Sequence, residues 1–155
     1  MFMRYPEEFF EFYRDKLIYP EAKPNATHIA LAKLEEMGKL KAVVTQNIDG
    51  LHQAAGSKNV YELHGSVLRN YCMSCNAFYD EKFIMESEGI PTCPKCGGKV
   101  KPDVVLYEEG LDNDVITETV RSISQADTLI IGGNFISCLS CYWTYKKLFL
   151  INFII

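Results

Sequence analysis

Lys41-Ala-Val-Val-Thr45 runs straight into Gln46-Asn-Ile-Asp-Gly50. The apolar run reads as a short buried strand, and the polar loop follows at its carboxyl end. That is the place where open α/β sheets bind ligands, so an α/β fold with a parallel sheet is the first expectation. Val60-Tyr-Glu-Leu63 reads as a second short strand, followed by His64-Gly65. Taken singly, Asn47 and Asp49 suit a local turn with Gly50, and His64 suits a satisfied buried histidine.

Upstream of the loop, two helices are expected. Phe9, Phe10, Tyr13 and Leu17 recur at helical spacing in Pro6–Leu17, with Glu7, Glu8 and Glu11 near the N-terminal end. Asn25 can cap a second helix that runs to Met37, with Ile29, Leu31, Ala32 and Leu34 as its apolar positions and Gly38 as its stop. Downstream, Val104–Tyr107 is expected to be extended. Leu111–Ser124 reads as a helix capped by Asp112 or Asn113, and Asp127–Gly133 as a buried strand that ends in a glycine turn.

Between these lies a segment of different character. Cys72-Met-Ser-Cys75 and Cys93-Pro-Lys-Cys96 are paired C-x-x-C motifs set among Pro91, Pro94, Gly97 and Gly98. Two residues between cysteines allow a tight knuckle that aims both sulfurs at one ion, and this spacing suits a tetrahedral four-thiolate zinc site. Four thiolates leave no open coordination position, so the metal is expected to be structural. A third pair, Cys138 and Cys141, has the spacing of a redox motif.

The 155 residues are 48% hydrophobic and 23% charged, the proportions of an ordered globular chain, and the formal net charge is −4. With lysines scattered rather than striped, direct nucleic-acid binding is not expected. Neither the acidic start nor the short apolar end KKLFLINFII reads as a signal peptide or a membrane span, which makes a cytoplasmic location the expectation. There, cysteines serve as thiols or metal ligands rather than disulfides.

Taken together and in order, Thr45-Gln-Asn-Ile-Asp-Gly-Leu-His52, Glu62-Leu-His-Gly65, the four cysteines and Lys101-Pro-Asp-Val-Val105 resemble the sirtuin family. The resemblance runs from about Tyr5 to Gly133 and is nearest to bacterial members, through Tyr107-Glu108-Glu109. It implies an incomplete Rossmann-like parallel sheet in residues 1–65 and 102–155, with a small zinc-ribbon module inserted at 66–101. It further implies NAD-dependent removal of acyl groups, acetyl among them, from protein lysines, giving nicotinamide and O-acyl-ADP-ribose. NAD is then the co-substrate, Zn2+ the structural ion, and an acyl-lysine protein or peptide the partner.

By the same resemblance His64 is the general base on a ribose hydroxyl, and an ordinary histidine pKa near 6.5 suits that task. Gln46, Asn47, Ile48 and Asp49 meet the nicotinamide riboside, and Gly132 and Gly133 lie on the cofactor side as well. The substrate peptide adds as a strand along Val104, Val105 and Tyr107, with the Val105 carbonyl meeting the acyl-lysine N–H. Cys72, Cys75, Cys93 and Cys96 hold the zinc.

Two departures from the family pattern shape the expectation for activity. Family members open with a Gly-Ala-Gly-x-Ser phosphate loop and a Gly-Ile-Pro-Asp-Phe-Arg stretch, and Met1 falls beyond both. The alternative reading is therefore a catalytically inactive, truncated fragment that acts at most as a zinc-binding or protein-interaction remnant. After Gly133 the family continues Thr-Ser-Leu-x-Val-x-Pro, whereas this chain reads Asn134-Phe-Ile-Ser-Cys138. One permitted codon set for Asn134–Tyr145, shifted by a single nucleotide, reads Thr-Ser-Leu-Val-Val-Tyr-Pro. A frameshift is the hypothesis. Resequencing the gene across the Gly133 and Asn134 codons tests it, and codons that cannot be re-read in this way eliminate it.

Overall fold

The computed structural model describes residues 2–132 and the backbone of residues 153–154. Helix α1 (Pro6–Lys16) begins with proline at its first turn and Glu7 and Glu8 beside it, both favourable at a helix N-terminus. Its Phe9, Phe10 and Tyr13 are buried. Helix α2 (Ala26–Glu36) is capped by Asn25, whose Oδ1 accepts from the N–H groups of Thr27 (2.9 Å) and His28 (3.2 Å). The Glu35 carboxylate then accepts from the backbone N–H of Lys58 (2.9 Å) and Asn59 (2.7 Å), which fixes α2 to the chain entering the second strand. Ile29 is 44% exposed, so Leu31 with Leu34 carries the inward face of this helix.

Strands β1 (Val43–Thr45) and β2 (Val60–Glu62) pair in parallel, with Thr45 opposite Glu62. Val43 packs with Leu31 and Leu40 on one side of the pair. Val44 packs near Tyr61, Leu63 and Ile123 on the other. Each fully buried valine contributes on the order of 2 kcal/mol of burial free energy. The short helix α3 (Leu51–Ala54) follows β1, and α5 (Asn113–Ser124) packs beside β2. Asp112 caps α5 through its Oδ1 to the Asp114 and Val115 N–H groups, so the helix starts two residues later than the apolar pattern suggests.

A second sheet is antiparallel, in the order β4 (Phe78–Tyr79), β3 (Gly65–Cys72), β5 (Val100–Val104). It is joined to the short helix α4 (Glu81–Glu86) and carries all four cysteines of the paired motifs at or just beyond its strand ends. The aromatic face of α1 packs onto this sheet rather than onto the parallel pair, in one core shared by Phe10, Tyr13, Val67, Ile84, Cys93 and Val100. Arg14 reinforces that contact by donating to the carbonyls of Gly89 (2.8 Å) and Ile84 (3.4 Å).

Two expectations change. The segment expected as a buried strand over 127–133 forms only β6 (Leu129–Ile130), paired antiparallel with β7 (Phe153–Ile154). Its Leu129, Ile130 and Ile131 are 41%, 42% and 47% exposed. A continuous apolar run buries fully only with layers on both faces, and among the described residues that cover is incomplete. The extended stretch expected over 104–107 stops at Val104, because the Glu109 carboxylate accepts from the Leu106 N–H (2.9 Å) and folds 106–109 into a turn. Glu108 there adopts φ +73°. Gly133, the Asn134–Tyr145 stretch and the Cys138/Cys141 pair lie outside the described residues.

Gly65 is the first residue of β3 and has φ +76°. A Cβ there would sit 1.9 Å from the Asp103 carbonyl oxygen, a backbone atom that cannot swing away. Gly89 also has positive φ (+59°) but meets nothing within 4 Å. In urea unfolding, Gly65→Ala should cost more than ~3 kcal/mol and Gly89→Ala only about 1 kcal/mol, the ordinary left-handed penalty. Equal costs for the two would contradict the close approach.

Candidate functional site

Because Thr45 and Glu62 are parallel register partners, the chain leaves β1 and β2 at the same edge. The two outgoing segments are stitched together. Leu63 N–H donates to the Thr45 carbonyl (2.9 Å) and Val67 N–H to the Ile48 carbonyl (2.9 Å). His64 Nδ1 lies 3.1 Å from the Gln46 carbonyl oxygen. A carbonyl can only accept, so Nδ1 carries the proton, and in the neutral ring Nε2 is the nitrogen that keeps its lone pair.

The local turn reading of this loop holds for its hydrogen bonds. Asn47 N–H donates to Thr45 Oγ1 (3.0 Å), and Asp49 Oδ1 accepts from Leu51 N–H (3.0 Å). These bonds also set the side chains. Asn47 and Asp49 are exposed, while Gln46 and Ile48 are half-buried. Gly50, at φ +69°, closes the turn against Leu68. The loop therefore exposes a carboxamide and a carboxylate on the residues that follow the Gln46 carbonyl met by the His64 imidazole.

The third strand of the site approaches from the antiparallel sheet. Gly65 pairs with Val104, and Val105 N–H donates to the His64 carbonyl (3.0 Å). Val104 is buried at the end of β5, Val105 is half-buried, and Tyr107 is fully exposed in the turn beyond. Among the described residues β5 is an edge strand, since its sheet is ordered β4-β3-β5. Gly132 is half-buried just after β6.

The 40 residues from Gly65 to Val104 form the cysteine-bearing sheet, and its four sulfurs converge. The Sγ atoms of Cys72, Cys75, Cys93 and Cys96 all lie within 4.8 Å of one another. Cys72 and Cys96 are 3.4 Å apart, and Cys75 and Cys93 3.6 Å. A tetrahedral ion with Zn–S bonds near 2.3 Å needs sulfur separations of about 3.8 Å, so the cluster fits a structural zinc. Each C-x-x-C knuckle closes with the same backbone bond, Asn76 N–H to the Cys72 carbonyl and Gly97 N–H to the Cys93 carbonyl. Asn76 and Gly97 both have positive φ. Gly98 must be a glycine, since a Cβ would lie 2.5 Å from Ser74 Oγ and 2.9 Å from Cys72 Sγ.

The thiols respond to this crowding in opposite directions. A hydrogen bond from the Tyr79 hydroxyl draws Cys93 down to about 6. Cys96 is pushed up to about 12, its Gly98 N–H outweighed by the neighbouring Cys75 and Cys72. Four sulfurs this close cannot all ionise without a cation between them, which is the service zinc performs when bound.

The Sir2 family model matches residues 1–143. This chain belongs to the Sir2 family. The match continues past Gly133, where the resemblance in sequence was expected to stop. Among curated sirtuins, an NAD-dependent protein deacetylase of Clostridium perfringens is 68% identical over 157 residues, covering 97% of this chain and 64% of its own length. One from Thermotoga maritima is 43% identical over 138 residues, covering 86% of this chain and 56% of its own length. A solved Sir2 structure with p53 peptide and NAD+ superposes with TM-score 0.74 at 44% identity, over 80% of this chain and 53% of that one. A second sirtuin structure, from work on substrate affinity, gives TM-score 0.83 at 38% identity, over 92% of this chain and 61% of that one. The chain thus spans a little under two thirds of the length of the Clostridium relative.

Within this sirtuin chain, the structure brings His64, the Gln46–Asp49 loop and Val104–Val105 together, and gathers the four cysteines apart from them. It also shows residues that motif spacing does not reveal. Arg69 Nε donates to Asp103 (2.7 Å) and its Nη1 donates to Glu62 (2.8 Å), so one guanidinium ties β3 to both β5 and β2. Lys101 Nζ binds Glu109 (3.1 Å) and the Val104 carbonyl (3.3 Å), holding the turn after β5. Only the sign of the charges, one arginine among distant carboxylates, could have hinted at these pairs. His28 and His52, which carry no role by resemblance, face each other with ring centroids 4.6 Å apart. Burial and then the His28 charge push His52 below the usual histidine range.

Protein purified without chelator should carry stoichiometric zinc by atomic emission. Cys93→Ser should lose the metal and, because the cluster is wired into the core with α1, lose solubility or cooperative unfolding. A Cys93→Ser protein that retains full zinc and normal stability would rule out the four-thiolate site.

Proposed function

We propose that this chain carries the nicotinamide-side and peptide-side residues of an NAD-dependent protein-lysine deacetylase. The observation that carries the reading is the junction of His64 with the Gln46–Asp49 loop at the carboxyl edge of two parallel strands. Membership of a family whose curated relatives are NAD-dependent protein deacetylases supports it.

Bound NAD would supply the sugar carbon that receives the acyl oxygen, and nicotinamide as leaving group. The remaining work falls to the chain. His64, with Nδ1–H committed to the Gln46 carbonyl, presents Nε2 as the base that accepts a ribose hydroxyl proton. Asp49, whose Oδ1 is fixed by the Leu51 N–H, accepts from the carboxamide NH2 of nicotinamide. Asn47 holds the ribose or a water, and Ile48 supplies an apolar wall. The donor set fits that half of the cofactor: a base, a carboxylate acceptor and a carboxamide on adjoining segments. An acyl-lysine peptide adds along the outer edge of β5, with the Val105 carbonyl receiving the lysine N–H. Val105 N–H is already committed to His64, which ties the peptide wall to the base.

In this reading residues 1–65 and 102–155 serve the cofactor side, and 66–101 form the metal module. Cys72, Cys75, Cys93 and Cys96 are its ligands. Among the described residues no helix is long and apolar enough to cross a membrane. A cytoplasmic location, where thiols stay reduced for metal, accords with the reading. A protein substrate rather than a nucleic acid accords with the net charge of −4.

The test is nicotinamide release from NAD in the presence of an acetyl-lysine peptide. Release should depend on the peptide and fall by roughly 10²–10⁴-fold in His64→Ala, with zinc content unchanged. Turnover in His64→Ala equal to wild type removes His64 as the base. A wild-type protein that binds neither NAD nor the peptide overturns the reading for this chain.

A further inference from the structure

The four sulfurs of the metal cluster are not equivalent. Cys75 and Cys96 are exposed, so water can donate to their thiolates. Cys72 and Cys93 are 2% and 1% exposed, and any hydrogen bond they receive must come from the protein. Cys72 Sγ meets the N–H groups of Ser74 (3.4 Å) and Cys75, both internal to its own knuckle. Cys93 Sγ meets the N–H groups of Lys95 and Cys96 in its knuckle and, in addition, the Tyr79 hydroxyl at 3.0 Å. That contact crosses from β4, outside both knuckles, and is shorter than the 3.4 Å that separates Ser74 N from Cys72 Sγ.

Tyr79 is placed to make it. Its backbone pairs with Asn70 across β4 and β3, and its carbonyl accepts from Asn70 Nδ2 (3.3 Å). Its ring stacks on Phe83 of α4, with centroids 4.2 Å apart and planes 29° apart. The strand sets the Cα, the stack sets the ring, and the hydroxyl has one direction left. Once Cys93 is a metal-bound thiolate its sulfur can only accept, so the proton on the bond belongs to Tyr79.

We propose that Tyr79 governs metal retention, donating a hydrogen bond to the Cys93 thiolate that lowers the sulfur's electron density and slows its release of the ion. The proposal rests on the four-thiolate zinc reading. A site with two negative charges in excess of its ion is stabilised by donors to its sulfurs, and such outer partners typically set metal affinity by about 10–100-fold. Cys93 shares its core with α1 and with Val104, so holding the ion also holds the end of β5.

Tyr79→Phe keeps the ring and its stack on Phe83 and deletes only the donor. Zinc transfer to a chromophoric chelator should be roughly 10-fold faster or more in this variant than in wild type. In cobalt-loaded protein, the sulfur-to-metal charge-transfer band should move to longer wavelength, because an undonated thiolate gives up charge more easily. Phe83→Leu, which loosens packing but spares the hydroxyl, should leave the band where it is. A Tyr79→Phe protein with wild-type transfer rate and an unmoved band overturns the proposal, as does a band that moves equally in Phe83→Leu. Wild-type protein that takes up neither metal overturns the zinc reading itself, a distinct result because the first two require loaded protein.

Discussion

The backbone of β3 touches that of β5 at Gly65 more closely than any side-chain-bearing residue permits. That approach makes His64 and Val105 neighbours. His64 is the last residue before the glycine, Val104 is the glycine's partner, and the Val105 N–H reaches back to the His64 carbonyl. The imidazole thus stands where a parallel pair, an antiparallel sheet and the loop after β1 converge. Arg69 then clamps the same junction electrostatically, with Glu62 on one side and Asp103 on the other. The Glu62 side chain is 7% exposed, so its charge needs that partner.

The metal module supports this junction from the far end of the same strands. β3 begins at Gly65 and ends at Cys72, and β5 begins at Val100, four residues after Cys96, and ends at Val104. Zinc therefore sets one end of a ladder whose other end carries the site. Between the two ends the register slips from Ser66/Asp103 to Asn70/Pro102, and Val67–Arg69 bulge out of the ladder. Pro102 has no N–H to offer, so a regular ladder would lose a bond there in any case. The bulge turns Val67 into the core and puts Arg69 within reach of its two carboxylates.

Local chemistry was the legible part of the sequence. The buried valines of β1, the Asn25 and Asp112 caps, and the two cysteine knuckles each follow from residue types a few positions apart, and each is present in the structure. The linked motifs around Gln46, His64 and Val104 were legible only as a resemblance, because nothing in their spacing says that 46, 64 and 105 meet. The long-range choices were not legible. An amphipathic pattern shows that α1 has an aromatic face but not that the face lies on the cysteine sheet. Tyr79 looks like any strand tyrosine until Cys93 is found beside it. The apolar run at 129–131 resembled a central strand because hydrophobicity reports a preference for burial, whereas burial depends on which layers arrive.

The register pair Gly65 and Val104 marks where the chain enters and leaves the cysteine-bearing sheet. Entry and exit are adjacent, so everything between is a closed excursion whose span contributes nothing to the distance from β2 to the turn before α5. An excursion of that kind can lengthen, shorten or exchange its outer loops over evolutionary time without retuning the parallel pair. Its freedom ends where α1 leans on it, since Phe10 and Tyr13 must still find Ile84 and Val100. The excursion is thus braced from outside by α1 and by the Arg69–Glu62 pair, and its freedom lies in the loop positions between the fixed cysteines on the side facing away from α1.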